Sequence, residues 1–179
     1  MLSLSEPTEI GTQPGGARVV LAPMTPDAAQ ILGASFSQID PWVRYPLSAA
    51  GLGSHLGAHL GAHLGAHLGA IEAGAPRYVL RLGETPCGAV CLRLNWFCGP
   101  YVQFLGVVPE HQGQRLGSCV LTWLEAGARV QGVRNIWVAA SDFNAGAIRL
   151  YERHGFVRVA HIDNLVCDGR DEVLLRKRL

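Results

Sequence analysis

The segment PEHQGQRLGSCV, residues 109–120, places a glycine-containing turn directly before an amphipathic helix. The free N–H groups of a first helical turn converge at such a junction, and the helix dipole adds positive potential. This chemistry suits a phosphate group, although many such turns only reverse the chain. The segment lacks the Gly-Lys-Ser/Thr ending of a nucleotide P-loop and the glycine spacing of the dinucleotide fingerprint. Neither ATP nor NAD is therefore favoured.

A second segment, FNAGAIRLYERHGF, offers one polar aromatic side chain on a short helix. Asn144 is placed to cap this helix, and Gly155 is placed to end it. Tyr151 shares a face with Ala147 and Ile148, as a packed aromatic residue would. The spacing alone allows both a structural and a chemical role for Asn144 and Tyr151.

Residues 55–70 form a low-complexity repeat, in which the four-residue sequence HLGA occurs four times. Histidines four residues apart can share a transition-metal ion on one helix face, which is one interpretation of His55, His59, His63 and His67. No cysteine or carboxylate lies within the repeat to complete a closed site. A helix that packs through its leucines is the favoured interpretation, and no metal site is predicted.

The whole chain has the composition of one globular domain. Its 179 residues are 49% apolar and carry a formal net charge of +1, which argues against strong disorder and against a polyanion-binding surface. Five cysteines at irregular spacing fit neither a disulfide framework nor a zinc ribbon. We expect reduced, partly buried thiols at Cys87, Cys91, Cys98, Cys119 and Cys167.

The order of elements indicates an α/β fold, classed as α+β in some schemes. Residues 1–16 are predicted to be a disordered tail, and residues 17–179 a single domain. ARVVLAP is a strand, Thr25 and Pro26 start a helix, and RYVLRL and CGAVCLRLNWF form a hairpin. The strands YVQFLGVV and NIWVAAS flank the helix that begins near Leu116, so a right-handed crossover between parallel neighbours is expected.

The predicted location is the cytoplasm. The amino terminus lacks the basic and apolar regions of a signal peptide, and no segment has about 18 uninterrupted apolar residues. The terminal RKRL is short enough to be a solvated strand end, so neither a membrane nor a nucleic acid is expected as a partner. The sequence leaves a homodimer open.

Two motifs together resemble the acyl-CoA-binding core of the GNAT superfamily of N-acetyltransferases. VVPEHQGQRLGSCVLTWLE resembles the Gln/Arg-x-x-Gly-x-Gly/Ala signature, with Arg115 where the first signature glycine is usual. NAGAIRLYERHGF resembles the second motif through Asn144, Ala147, Leu150, Tyr151, Gly155 and Phe156. The resemblance implies a mixed central sheet with helices on both faces and splayed parallel strands four and five.

The resemblance also implies acetyl-CoA as cosubstrate, with no metal required. The residues that it assigns to the cosubstrate are Val107, Val108, Gln112, Gly113, Gln114, Arg115, Leu116, Gly117, Ser118, Asn144 and Ala147. Backbone amides near Val107 and Val108 would orient the thioester, and Asn144 would contact the pantetheine arm. Arg115 keeps a backbone amide there, although a positive φ at this residue would be strained.

Tyr151 is the catalytic residue that the resemblance implies. Its unperturbed pKa near 10 lies close enough to a thiol's value of about 8.5 for proton donation to the departing thiolate. A general base is not assigned, because Gln103 stands where many relatives carry a glutamate and cannot take a proton. Glu110, His111 and Asp142 are near in sequence, and a water chain is the alternative.

The expected activity is transfer of the acetyl group of acetyl-CoA to a primary amine of a small molecule or of a peptide or protein. The segment IDPWVRYP, with Asp40, Trp42, Arg44 and Tyr45, lies where relatives line the acceptor pocket, although Trp42 could equally anchor a loop. Two alternatives belong to other classes: a catalytically silent acyl-CoA sensor and a histidine-rich metal-binding protein.

Overall fold

A single mixed sheet organises the described part of the chain. The computed structural model describes residues 2–44, 68–69 and 73–179. The strands are β1 Thr8–Thr12, β2 Arg18–Pro23, β3 Arg77–Leu82, β4 Thr85–Trp96, β5 Gly99–Val107, β6 Asn135–Ser141, β7 Val157–Cys167 and β8 Arg170–Arg178. The helices with assigned bounds are α1 Pro26–Phe36, α2 Leu116–Val130 and α3 Ala145–Arg153, and short 3-10 turns cover Trp42–Arg44 and Pro109–His111.

The strand order is β1-β2-β3-β4-β5-β6-β8-β7. Strands β5 and β6 are parallel neighbours joined through α2, as the sequence predicts, and the other neighbouring pairs are antiparallel. The predicted hairpin is confirmed as β3 and β4, and α1 begins at Pro26 with the Thr25 side chain as its cap. The splayed pair is fifth and sixth in the chain because an unpredicted strand, β1, precedes the others.

Helices pack on both faces of the sheet, as expected. Successive residues of a strand point to opposite faces, and Leu105 and Gly106 show this on β5. A Cβ atom at Gly106 would lie 2.8 Å from the ring of Phe36 on α1. A Cβ atom at Gly117 on α2 would lie 3.1 Å from Leu150 on α3 and 3.9 Å from Leu105. Helix α1 therefore covers one face, and α2 and α3 pack together on the other.

The amphipathic pattern of α2 is confirmed by its burial. Leu116, Val120 and Leu124 are fully buried at spacings of four residues, as a helical stripe facing a core must be. On a more polar side of the helix, Glu125 accepts a hydrogen bond from the Lys177 ammonium of β8. The helix that opens at the candidate phosphate turn is thus fixed to the sheet by both apolar and charged contacts.

The amino-terminal residues differ from the predicted disordered tail. Strand β1 pairs with β2, and Leu2 is only 1% exposed. The Tyr78 hydroxyl donates to the Leu2 carbonyl at 2.7 Å and accepts from the Leu4 amide at 3.0 Å. Gly127 leaves the space that Leu2 fills, since a Cβ atom there would lie 2.5 Å from Leu2 Cδ2. The prediction failed because the contact that holds the amino terminus joins Leu2 to Gly127, a residue of a helix far along the chain.

The HLGA repeat lies almost entirely outside the described residues, including all four of its histidines. The structure describes Leu68, which is fully buried, and Gly69, whose Cβ position would lie 3.3 Å from Ala29 of α1. None of the described helices has the length and apolar character that crossing a membrane requires.

All five cysteines are free, and four of them are at least partly buried as predicted, whereas Cys98 is exposed. Burial raises the pKa of Cys87 to about 11 and that of Cys91 to about 12.

Candidate functional site

A split between two parallel strands forms the centre of the candidate site. Strand β5 pairs with β6 at Tyr101↔Trp137 and Val102↔Val138, and no further pair is formed along the described strands. Strand β5 nevertheless continues to Val107, and β6 continues to Ser141. Beyond the last pair, the facing edges of the strands have backbone N–H and C=O groups that the β5–β6 ladder does not use, so an extended ligand can bind there.

A β-bulge lies where the two strands separate. On the other side of β5, Phe104 pairs with Cys91 while Val102 pairs with Leu92, so Gln103 is the extra residue. A bulge bends its strand and increases the local twist. This explains why β5 turns away from β6 immediately after Val102. The Gln103 side-chain oxygen is buried and has no hydrogen-bond partner in the described structure.

The turn that follows β5 presents an unusual helix start. Gly113 has φ +76° and Arg115, the residue that caps α2, has φ +57° in the left-handed region. No side chain caps α2. The Gln112 side chain donates to the Val107 carbonyl at 3.0 Å, which fixes the turn against the end of β5. The first amides of α2 thus lack a side-chain acceptor, which is what an anion-binding helix terminus requires.

The start of α3, unlike that of α2, is capped by a side chain. The Asn144 side chain accepts a hydrogen bond from the Ala147 amide at 3.1 Å, so its predicted capping role is confirmed. The helix ends at Arg153, and Gly155 follows with φ +79°. Leu150 of α3 packs against Gly117 at the start of α2, and residues of both helix starts line one cleft.

A cleft of about 560 Å³ lies between the two helix starts and the outer end of β5. This volume is in the usual range for ligand pockets. Most of the predicted cosubstrate residues line it: Val107, Gln112, Gly113, Arg115, Leu116, Gly117, Ser118, Asn144 and Ala147. The segment that the sequence placed near the acceptor also reaches the cleft, through Asp40, Pro41 and Trp42.

Two of the predicted cosubstrate residues are placed differently. The Val108 amide, expected to orient the thioester, instead donates to the Cys87 carbonyl at 2.9 Å, and its side chain is buried. Gln114 is not among the lining residues, and its side chain donates to the Glu110 carbonyl at 3.4 Å. A shift of one residue decides which amide of a strand end is paired, and sequence does not reveal that shift.

Tyr151 is buried and is not among the residues that line the cleft. It is 5% exposed, its ring centroid is 5.7 Å from that of Phe156, and burial raises the pKa of its phenol well above the ordinary value. Its hydroxyl makes no hydrogen bond to another described residue. The side chain is therefore a core residue with one polar atom whose bonding is not satisfied within the described structure.

The far wall of the cleft combines an aromatic stack with an ion pair. Trp42 stacks on Phe104 at 4.7 Å between ring centroids, and Phe36 packs against both. The Arg44 guanidinium donates to the Asp40 carboxylate and lowers the pKa of that carboxyl group. This ion pair is exposed, so it contributes little to stability. These contacts anchor the loop and also shape the cleft, so both interpretations of Trp42 are compatible with its position.

The sequence analysis did not assign several residues that line the cleft: Leu105, Gly106, His111, Gly146, Leu150 and Arg153. Arg153 adds a second cation beside Arg115. The signal for Leu150 and Arg153 was available, because both follow Ala147 at spacings of three residues on α3. The His111 Nδ1 atom is buried without a hydrogen-bond partner in the described part of the chain.

One group of described side chains has the spacing of metal ligands. Atoms of Asp142, His161 and Asp171 lie within 4.8 Å of one another, with Asp142 and His161 exposed. The His161 Nδ1 atom lies 3.0 Å from Asp163 Oδ1, within hydrogen-bond distance, so a side-chain hydrogen bond also explains the position of His161. None of these residues lines the cleft.

Residues 51–156 match the family model described as the acetyltransferase (GNAT) family. No curated relative matches the chain. Among solved structures, an acetyltransferase from Thermus thermophilus has a TM-score of 0.64 at 21% identity, covering 96% of this chain and 100% of that one. The Escherichia coli ribosomal-protein-S18-alanine N-acetyltransferase has a TM-score of 0.63 at 16% identity, covering 89% and 93%.

A third similar structure contains a ligand. A GNAT family acetyltransferase from Elizabethkingia anophelis, solved with acetyl-CoA bound, has a TM-score of 0.54 at 17% identity and covers 59% of this chain and 77% of that one. At these identities the likeness shows the fold alone. The expected mixed sheet with a splayed parallel pair and helices on both faces is confirmed.

Proposed function

This chain belongs to the GNAT family of acetyltransferases, and from that membership we propose that it transfers the acetyl group of acetyl-CoA to a primary amine. Family membership makes acetyl-CoA the cosubstrate and acyl transfer the reaction. The finer assignment is the acceptor, a primary amine of a small molecule or of a peptide or protein. The observation that carries acetyl-CoA binding is the cleft formed by an uncapped helix terminus beside a split parallel pair.

The cleft fits the parts of acetyl-CoA in order. The pyrophosphate would lie on the free amides of the turn from Gln112 to Gly117, with Arg115 and Arg153 as nearby cations. The pantetheine arm would then run inward between β5 and β6 and pair with their free edges. This direction places the thioester toward the inner end of the split, near the last β5–β6 pair.

The reaction forms one bond and breaks one bond at the thioester carbon. The amine nitrogen attacks the carbonyl carbon, the carbon–sulfur bond breaks, and the products are an acetamide and CoA thiol. The attacking nitrogen must be neutral at the moment of attack and loses one proton afterwards, while the departing thiolate gains one. The protein's part is therefore to orient the amine and to supply the proton to sulfur.

Tyr151 is proposed to give that proton. Burial raises the pKa of this phenol, which alone would make it a poorer acid. The proposal rests on the hydroxyl, which has no competing hydrogen-bond partner among the described residues.

No carboxylate takes the place of a general base on β5. Gln103 occupies the bulge there, and a carboxamide has no basic site at neutral pH. We therefore propose that the proton of the acceptor leaves through water. This favours an α-amino group with a pKa near 8 over a lysine side chain with a pKa near 10, because more of it is neutral at pH 7.

The proposal is tested first by thermal stability with ligands. Acetyl-CoA and CoA should raise the Tm, while NAD and ATP at equal concentration should raise it much less, because ligand binding to the native state stabilises it by mass action. A protein with no shift at saturating acetyl-CoA would contradict the proposal.

Acetyl-CoA-dependent thiol release over a panel of amino acids, polyamines, aminoglycosides and peptide amino termini then identifies the acceptor class. Stabilisation by acetyl-CoA without release on any amine would indicate a sensor in place of an enzyme.

A further inference from the structure

Gln103 lies at the inner end of the split and is not among the residues that line the cleft. It is the extra residue of the β5 bulge and comes directly after the last parallel pair, Val102↔Val138. A bulge interrupts the alternation of side-chain directions along its strand and changes the direction of the bulged side chain. Gln103 is therefore positioned by the same irregularity that opens the split.

The side chain of Gln103 carries an unused acceptor. Its oxygen is buried and has no hydrogen-bond partner within the described residues. Buried acceptors in folded proteins are nearly always paired, so an orphan at this position requires an explanation. An apolar residue of similar length would fill the space without leaving an unpaired oxygen. A ligand that brings an N–H group to the inner end of the split would satisfy it.

Two ligand groups have such an N–H: the amides of the pantetheine arm and the attacking amine. The amides of the arm have better-matched partners, because the edges of β5 and β6 offer backbone groups at regular spacing along the split. The amine must instead approach the thioester at its inner end, where backbone pairing of the two strands begins again at Val102 and Val138. A side-chain acceptor is needed there, and Gln103 is adjacent.

We propose that the side-chain oxygen of Gln103 accepts a hydrogen bond from the acceptor amine and orients its lone pair toward the thioester carbon, without taking its proton. This inference rests on the proposed acetyl transfer to an amine. A carboxamide suits the task because it accepts a hydrogen bond in its neutral form at every pH, and it leaves the proton to pass to water.

The test compares two substitutions of Gln103 that differ in one property. Gln103→Met keeps the length and removes the acceptor, and Gln103→Glu keeps an oxygen at the same reach. The control is Gln38→Met, on an exposed glutamine outside the cleft. Each protein is assayed with acetyl-CoA and with the amine that gives the fastest thiol release in the panel above.

Gln103→Met should lower kcat/KM for the amine by about tenfold, the effect of losing one hydrogen bond. The Tm without ligand should be unchanged or higher because an unpaired buried oxygen is gone, and the stabilisation by acetyl-CoA should stay at the wild-type value. Gln103→Glu should keep kcat/KM within about threefold of wild type or raise it, since it retains an acceptor.

Three results would overturn the assignment in distinguishable ways. Wild-type kcat/KM in Gln103→Met would show that the oxygen does not contact the amine. A reduced acetyl-CoA stabilisation in that variant, with kcat/KM for the amine falling in parallel, would assign the oxygen to the pantetheine amides. Absence of amine-dependent thiol release in the wild-type protein would remove the proposed function itself, and this inference with it.

Discussion

The starts of α2 and α3 lie side by side at one cleft and differ in how their amides are satisfied. At α3, the Asn144 side chain accepts from the Ala147 amide at 3.1 Å. At α2, the capping position is Arg115 in a left-handed conformation, and no side chain accepts from the first turn. The start of α1 resembles α3, because Thr25 accepts from the Ala28 amide.

The absence of a side-chain cap favours the start of α2 as the terminus that binds a ligand. A side-chain cap typically contributes about 1 kcal/mol, and α2 forgoes it. A non-glycine residue at positive φ adds a further cost of roughly 1–2 kcal/mol. The two costs fall at one turn, and backbone strain of this kind clusters at binding and catalytic sites. We infer that α2 offers backbone to the ligand, while α3 offers side chains.

The largest expected effect follows from the side chains of α3. If Tyr151 protonates the thiolate, Tyr151→Phe should lower the single-turnover rate by about 10² to 10⁴-fold and leave acetyl-CoA affinity unchanged. Because burial holds the phenol protonated, the wild-type rate should not fall as pH rises to 10. Rapid-quench measurement of one turnover on a good amine checks both statements.

Removal of the hydroxyl also tests the structural alternative for Tyr151. A hydroxyl without a described partner contributes little to packing, so the Tm of Tyr151→Phe should stay close to that of wild type. Wild-type single-turnover rates in this variant would limit Tyr151 to a packing role and would leave α3 without a residue that takes part in the reaction.

The next effect concerns the backbone surface of α2. Gly117→Phe should abolish the stabilisation by acetyl-CoA, about 2.7 kcal/mol at a ligand concentration of 100 times Kd. Gly117 and Leu150 both line the cleft, and a Cβ atom at Gly117 would already lie 3.1 Å from Leu150, so a ring there must either displace Leu150 or fill the cleft. Gly15→Phe is the control, because nothing lies within 4 Å of its Cβ position. Retained stabilisation in Gly117→Phe would mean that phosphate binds elsewhere.

The sequence predicted the elements of this site better than their details. Helices α2 and α3 were predictable because Leu116, Val120 and Leu124 recur with helical spacing, and because Asn144 and Gly155 bound a short helix. Local patterns of this kind require no knowledge of the partner surface. The same holds for the alternation and the turn that predicted the β3–β4 hairpin.

Most of the details that the sequence did not reveal depend on distant partners. The bulge at Gln103 is visible only as a register shift against β4. The Val108 amide is paired because Cys87 lies opposite. Leu2 is buried because Gly127, far along the chain, leaves a space for it. Composition and periodicity carry no information about these pairings, whereas the strain at Arg115 was predictable from its place in a glycine motif.

A smaller effect tests whether Asn144 is more than a cap. Asn144→Ala should lower stability by about 1 kcal/mol, or a Tm decrease of roughly 2–4 °C, through loss of its bond to the Ala147 amide. Thr25→Ala removes the equivalent cap of α1, outside the cleft, and should cost about the same. We expect acetyl-CoA stabilisation to fall in Asn144→Ala alone, because Asn144 also lines the cleft. Equal stabilisation of both variants would limit Asn144 to capping.

The smallest effect is a gain in stability at Arg115. Arg115→Gly relieves a left-handed conformation that costs roughly 1–2 kcal/mol, and about 0.5–1 kcal/mol of glycine chain entropy offsets it, so the net gain in stability should be about 0–1.5 kcal/mol. Chemical denaturation without ligand measures this gain.

The same variant loses an exposed guanidinium at the phosphate turn, so acetyl-CoA affinity should fall as stability rises. Arg115→Lys keeps both the cation and the strain, and should therefore match wild type in stability. If Arg115→Gly were neither more stable nor weaker in binding, the left-handed arginine would have no cost that a ligand offsets, and the inferred contrast between the starts of α2 and α3 would fail.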